Sequence, residues 1–309
     1  MLAIEKLSVS YDGSRILRNV SLNVPPGQVV CLMGRNGVGK TTTLKAIAGL
    51  VQPDAGSVKL GGTELVGLKP EHRARHGLGY VPQGRDIFPN LTVRENLRIG
   101  AIAQGKKLNG EVDRVLELFP ILKEMLQRKG GVLSGGQQQQ LAIGRALLTN
   151  PKVLLLDEPT EGIQPNIIDH IGDTIKKLRS DGFGCSSSQS SSRFDAPCSA
   201  NPSPRTGPLT PSLSPSEGER VSAGRERGRG GILRSIGARF AQPESNDTLG
   251  EALGKVRAEG RMGILLVEQY LDFCLEVGDS FYIMDRGSVV ANGPVSELND
   301  DLIKQHLTV

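Results

Sequence analysis

Gly34-Arg-Asn-Gly-Val-Gly-Lys-Thr41 follows a buried apolar run, Gln28-Val-Val-Cys-Leu-Met33, and opens into Thr41-Thr-Thr-Leu-Lys-Ala-Ile-Ala-Gly-Leu50, a helical stretch with Gly49 near its end. The spacing is G-x-x-x-x-G-K-[ST] between a strand and a helix. Glycines let successive backbone N–H groups curl around an anion, and the helix N-terminus that follows favours negative charge. On this reading Gly34, Arg35, Asn36, Gly37, Val38, Gly39, Lys40, Thr41 and Thr42 form a phosphate cradle. Lys40 neutralises the β- and γ-phosphates, and the Thr41 hydroxyl sits on Mg²⁺.

The matching partner is Val153-Leu-Leu-Leu-Asp-Glu158, an apolar strand ending in two acids. Open α/β sheets place ligands at the carboxyl ends of their strands. Asp157 is therefore expected to hold Mg²⁺ directly or through water, and Glu158 to orient or activate an attacking water.

Working outward, Leu2 to Val9 reads as a half-buried strand, and Gly79-Tyr-Val81 and Ile264-Leu-Leu-Val267 as short strands. Between 92 and 149 the pattern is helical: Thr92 caps a segment carrying Val93, Leu97 and Ile99, then come Glu111 to Phe119 and Gly136 to Leu148. Strands alternating with helices predict an α/β fold with an open, mostly parallel sheet, and the block at about 84–150 reads as an inserted helical subdomain.

Leu133-Ser-Gly-Gly-Gln137 lies 16 residues before the acidic strand, with Ser134 as a helix N-cap and two glycines exposing backbone amides. With this motif the chain resembles the ATP-binding subunits of ABC transporters, whose signature is Leu-Ser-Gly-Gly-Gln, over residues 1–182 and 260–293. The resemblance implies a P-loop NTPase sheet with an inserted helical subdomain, ATP and Mg²⁺ as ligands, and head-to-tail pairing with a second copy or a related subunit. It implies that Tyr11 stacks on adenine and that Gln83, in Tyr80-Val-Pro-Gln83, contacts Mg²⁺ and water. It also implies that Ser134, Gly135 and Gly136 bind the γ-phosphate of ATP held by Lys40 of the partner subunit. Most members carry histidine after the last core strand; here Val267-Glu-Gln-Tyr270 puts Gln269 there, which donates an N–H to the γ-phosphate without becoming cationic.

That Val-Glu-Gln form resembles the branch serving branched-chain amino acids and urea. Val81-Pro-Gln-Gly-Arg-Asp-Ile-Phe-Pro89, Ser134-Gly-Gly-Gln-Gln-Gln-Gln140 and Glu158-Pro-Thr-Glu-Gly-Ile-Gln-Pro165 are similar to the urea-transport subunits. Amino-acid relatives usually carry Glu in place of Gln83. The expected function is thus an ATP-hydrolysing motor of a urea importer, with a branched-chain amino acid importer or a hydrolysis-impaired nucleotide binder as alternatives. Two membrane permeases and, indirectly, a periplasmic solute-binding protein are the implied partners, at the cytoplasmic face of the inner membrane. A soluble relative acting on nucleic acid usually has two motif sets in one chain, and one is present here.

The rest of the composition fits this picture. No run of 18 apolar residues occurs in the 309, and Met1-Leu-Ala-Ile-Glu-Lys6 lacks the pattern of a secretory signal. Cys31, Cys185, Cys198 and Cys274 form no C-x-x-C pair, as suits a reducing compartment. The four histidines, 72, 76, 170 and 306, show no metal-ligand spacing and read as surface residues.

The formal charge of +4 sits in one place: residues 183–240 hold eight Arg, no Lys and four acids, with 13 Ser, 6 Pro and 8 Gly. This stretch predicts a disordered, basic, low-complexity insert between the ATPase segments 1–182 and 241–309. Its Arg-Glu-Arg-Gly-Arg-Gly run at 225–230 reads as solvated chain. Residues 163–182 also align with 241–260 at an offset of 78, with seven identities and the apolar positions 171, 175 and 178 recurring at 249, 253 and 256. Two near-equivalent helices would then compete for one docking site.

Overall fold

Three short, fully buried strands form the centre of the structure. β3 (Val29–Met33), β7 (Val153–Asp157) and β8 (Gly263–Val267) are buried at every position. Strands covered on both faces need no polar alternation, which is why they read as continuous runs in the sequence. Alternate residues serve two cores. Cys31, Leu154, Leu156, Ile264 and Leu266 face one layer, while Val30, Leu32, Val153, Leu155 and Leu265 face the other.

The computed structural model describes residues 1–103, 111–181 and 262–307. These belong to one compact unit, built from Met1–Ser186 and Thr248–Val309; the second unit, Ser187–Asp247, lies outside them. The insert expected at 183–240 and the second helix copy at 241–260 also fall outside the described residues.

The main sheet has six strands in the order β10–β9–β3–β8–β7–β6, with β6 at Leu78–Val81, β9 at Ser280–Asp285 and β10 at Ser288–Pro294. All its pairings are parallel except the edge strand β10 on β9. A second, antiparallel sheet runs β2–β1–β4–β5, from β1 (Leu2–Tyr11), β2 (Ser14–Val24), β4 (Ala55–Leu60) and β5 (Thr63–Glu64). The sequence pattern predicts only β1 of this sheet. It packs its inward residues, Ile4, Leu7, Val20 and Leu22 among them, with α1 (Lys40–Ala48) into one core. Short α2 (Pro70–Arg75) lies beside it: the buried Arg73 guanidinium donates to the Ala46 and Ile47 carbonyls, both at 2.8 Å, and so satisfies the C-terminal end of α1.

The expected helical block consists of α3 (Val93–Ala103), α4 (Glu111–Leu118), α5 (Pro120–Glu124) and α6 (Gly135–Leu147). Thr92 caps α3 as expected, exchanging hydrogen bonds with Glu95. Fully buried Asn96 ties the preceding loop down, accepting from the Phe88 N–H at 2.9 Å and donating to the Phe88 carbonyl at 3.0 Å.

After β7 the chain forms α7 (Pro165–Asp181), which buries Ile171, Ile175 and Leu178 at helical spacing. Its docking partner is α8 (Leu271–Val277), against which Gly172 lies so closely that a Cβ would stand 3.3 Å from Phe273. Arg179–Asp279 at 2.9 Å and Lys176–Glu276 at 2.6 Å flank the contact. Of the two similar segments, 165–181 therefore holds the docking site. Its His170 is a correction: it is half buried, stacked on Phe119 with centroids 6.3 Å apart, rather than a surface residue. α9 (Asp300–His306) follows β10, capped by Asn299.

Candidate active site

Register assembles the site. Leu32 of β3 and Asp157 of β7 both pair with Val267 of β8, so three strands end at one level, with Gly34, Glu158 and Glu268 just beyond. Residues far apart in sequence become neighbours because parallel strands put their carboxyl ends on one edge.

The glycine loop is held tightly. Gly34 has φ +148°, and a Cβ there would stand 2.5 Å from the Met284 carbonyl oxygen. Gly39 has φ +107°, and its Cβ would meet Leu17 Cδ2 at 2.6 Å. Gly39 is also the N-cap of α1 and offers no side-chain acceptor, which leaves the first-turn N–H groups of α1 for an anion. Arg35, Asn36 and Gly37 are exposed at the loop tip, Val38 is buried beneath it, and Thr42 is half buried.

Lys40 is only 4% exposed; its ammonium donates to the Gly34 and Arg35 carbonyls at 2.7 and 3.0 Å and lies 4.0 Å from Glu158 Oε1. Burial lowers its pKa, opposed by the charges of Glu158, Asp157 and Glu268. Thr41 Oγ1 donates to Asp157 Oδ1 at 3.2 Å, and Tyr80 OH donates to Oδ2 at 3.4 Å. Burial pushes the Asp157 carboxyl up to about 6, with the Glu158 charge adding to it and the Thr41 and Tyr80 bonds opposing. Burial, followed by the Asp157 charge, pushes Tyr80 well up too, so it remains a donor.

Glu158 occupies a left-handed conformation, φ +48°. Its N–H donates to the Val267 carbonyl at 2.9 Å. Its carboxylate accepts from Gln269 Nε2 at 2.6 Å and from Gln83 Nε2 at 3.0 Å. Gln83 Nε2 also donates to Glu161 at 3.0 Å. Lys40, Thr41, Gln83, Asp157, Glu158 and Gln269 thus form one connected group.

Tyr11 and the 134–136 segment stand outside that group. Tyr11 is 41% exposed at the end of β1, paired with Ser14 across the hairpin. Ser134 caps α6 in a full capping box with Gln137. Gly136 is pressed against α7: a Cβ there would lie 2.7 Å from Ile167 Cγ2. Arg85 links this segment to the rest, lying flat against Gly135 while its Nη2 donates to the Glu161 carbonyl at 3.1 Å.

Arg85, Thr160, Glu161 and Glu268 are the participants that sequence reading missed. For Glu268 a signal existed: it is an acid at the end of a buried apolar strand, the same pattern that identified Asp157 and Glu158. For Arg85 there was none, since its role depends on where α6 begins in space.

Among the described residues no group of three His, Cys, Asp or Glu side chains could chelate a metal unaided. The Thr41 hydroxyl and Asp157 carboxylate nevertheless converge at the foot of the phosphate loop, and the Gln83 amide donates to Glu158, the residue next to Asp157. Such hard oxygen donors suit Mg²⁺ shared with phosphate oxygens and water.

Comparison with known proteins agrees with this geometry. The ABC transporter family model matches residues 17–161, which run from β2 past Glu158. The branched-chain amino acid transport ATP-binding protein BraG of Pseudomonas aeruginosa is 45% identical over 183 residues, covering 59% of this chain and 78% of that protein. The chain belongs to the ABC transporter ATP-binding proteins. A probable branched-chain amino acid transport ATP-binding protein, LivF of Archaeoglobus fulgidus, is 41% identical over 59% of this chain and 77% of its own length. The lipopolysaccharide export ATP-binding protein LptB of Escherichia coli K12 is 37% identical with the same coverage. Among solved structures, a dimeric bacterial ABC transporter cassette superposes with a TM-score of 0.65 at 20% identity, over 96% of this chain and 99% of that one. The fold is therefore that of an ABC ATPase, and the chain is the ATP-binding motor subunit of a transporter. Among the described residues, no helix of this subunit is long and apolar enough to cross a membrane.

Proposed function

We propose that this ABC ATPase pairs head to tail with a second copy, or with a related ATP-binding subunit, and powers import of urea. The observation that carries the chemistry is Glu158, held by two glutamine amides, Gln83 and Gln269, at 3.0 and 2.6 Å and lying 4.0 Å from Lys40. ATP places its phosphates along Gly34–Thr41, where Lys40 supplies positive charge and the α1 N-terminus supplies N–H donors. Mg²⁺, held by Thr41, Asp157 and Gln83, would neutralise charge on the β- and γ-phosphates. The Glu158 carboxylate takes the proton of a water as its oxygen attacks the γ-phosphorus, and ADP leaves. Gln269 donates its amide N–H to the γ-phosphate. Tyr11 receives the adenine ring, and Ser134, Gly135 and Gly136 cap the nucleotide bound to the partner.

Docking on two permeases would hold the subunit peripherally at the cytoplasmic membrane face, with a periplasmic binding protein delivering solute and no role for nucleic acid. Gln83 and the Glu158–Pro165 run support urea. The two branched-chain amino acid relatives support a second reading, in which the solute is a branched-chain amino acid. Co-reconstitution with permeases of each type, followed by uptake of labelled urea and labelled leucine, separates the readings. ATP-dependent urea uptake is the expected result; leucine uptake alone selects the second reading, and outward transport overturns import.

A further inference from the structure

Glu268 is 2% exposed and sits between the last residue of β8 and Gln269. One carboxylate oxygen accepts from the Thr160 N–H at 2.9 Å and from the Thr160 hydroxyl at 2.7 Å. The other accepts from the Gln269 N–H at 3.0 Å and the Tyr270 N–H at 3.4 Å. Four donors from two separate loops thus converge on one buried side chain.

These contacts close a ring. Covalent chain runs from Glu158 through Pro159 to Thr160; hydrogen bonds lead from Thr160 to Glu268; the next residue is Gln269; and Gln269 Nε2 returns to Glu158 Oε1 at 2.6 Å. The ring encloses Glu158, one of the non-glycine residues with a positive φ. A left-handed conformation is costly for a side chain such as Glu158 and persists where its surroundings over-determine it. Here the Glu158 N–H is tied to Val267, and Thr160, two residues on, is tied to Glu268.

We infer that Glu268 is a positioning residue for hydrolysis, a buried two-sided acceptor that keeps Glu158 and Gln269 in register around the γ-phosphate. The inference rests on the ATPase chemistry assigned to Glu158. Burying a carboxylate is unfavourable unless it is fully hydrogen-bonded, and burial raises the Glu268 pKa against the pull of its Thr160, Tyr270 and Gln269 donors. An amide of the same shape cannot replace it. Glutamine offers one acceptor oxygen and, in place of the other, an NH₂ that only donates, so either Thr160 or the 269–270 pair would face an N–H.

The experiment uses the full-length chain assembled with its permeases, and compares wild type, Glu268→Gln, Thr160→Val and the double variant. It measures steady-state ATPase, binding of a fluorescent ATP analogue, and melting temperature. Glu268→Gln is expected to lower kcat about tenfold or more, as small displacements of catalytic groups do, while KM and analogue affinity stay within about twofold. Thr160→Val lowers kcat less, and the double variant is no slower than Glu268→Gln, because both remove the same link. Unchanged kcat in the single variants, additive losses, or parallel loss of analogue affinity and melting temperature overturns the positioning role. Should Glu268→Gln fail to fold, Thr160→Val decides: a loss in kcat at constant KM supports the role and wild-type kinetics overturns it. A wild-type assembly without ATPase activity overturns the chemistry beneath it, a result distinct from variants that match an active wild type.

Discussion

Gln269 Nε2 donates a 2.6 Å hydrogen bond to Glu158 Oε1, joining side chains 111 positions apart in the chain. The contact follows from the adjacency of β7 and β8, whose register ends with Asp157 opposite Val267. If Glu158 is the water-activating base, Glu158→Gln removes the base and leaves the phosphate loop intact. ATPase activity should fall about 10²- to 10⁴-fold, the range typical of a lost general base. Nucleotide affinity should persist, and size-exclusion chromatography with ATP should show a trapped dimer. Hydrolysis at the wild-type rate would remove Glu158 from that role.

Asp157 should cost the nucleotide-free protein stability. Its folded-state pKa, about 6, lies above the ordinary 3.8, so the folded chain holds this proton more tightly than the unfolded chain does. The favourable contribution is complete below about 3.8 and is lost as pH rises towards about 6. At pH 7.5 Asp157→Asn is therefore expected to raise the melting temperature, by ~2–4 °C for each ~1 kcal/mol relieved. The difference should disappear near pH 4, and Mg²⁺-dependent hydrolysis should be lost at every pH. Calorimetry across that pH range checks the sign.

Most of the connected group around Glu158 was legible because its residues sit at the ends of buried strands. A strand buried on both faces announces itself as an unbroken hydrophobic pentad, and the polar residues that terminate it stand out. The antiparallel sheet was less legible. β2 mixes Arg15, Arg18 and Asn19 with its buried Leu17, Val20 and Leu22, and β4 starts with the exposed Ala55-Gly56. Register shifts between Ile4 and Ser10 further disturb the period of two along β1. His170 was misplaced for a related reason: its ring stacks on Phe119, between α4 and α5, a contact that no local pattern encodes. Thr160 and Arg85 matter through long-range contacts alone, so their chemistry had no local signal.

Gly136 should tolerate no side chain, even apart from any contact with nucleotide. An added Cβ would stand 2.7 Å from Ile167 Cγ2 and 3.2 Å from Ile167 Cβ, inside ordinary contact distance. Gly136→Ala is expected to cost about 1–3 kcal/mol through overpacking between α6 and α7. Pairing it with Ile167→Ala should restore much of the melting temperature by removing the opposing branch. If Gly136 also caps the partner's nucleotide, the double variant should regain stability while ATPase activity stays low. Recovery of both together would assign the glycine to packing alone.

Removal of residues 183–260 should leave a working motor of 231 residues. Among the described residues, the flanking elements are held by contacts of their own. α7 docks through Ile171, Ile175 and Leu178 and through the Arg179–Asp279 pair, while β8 pairs with β3 on one side and β7 on the other. A long connection costs only about 0.6 kcal/mol for each doubling of its length, so shortening it gains little unless the ends are pulled apart. The deletion keeps the α7 copy that occupies the docking site and discards the similar 241–260 segment. The shortened chain, assembled with its permeases, is expected to melt within a few degrees of the full-length protein and to match its ATPase rate. A collapse in stability would mean that 241–260 supports the fold, and a faster rate at equal stability would identify the insert as a brake on hydrolysis.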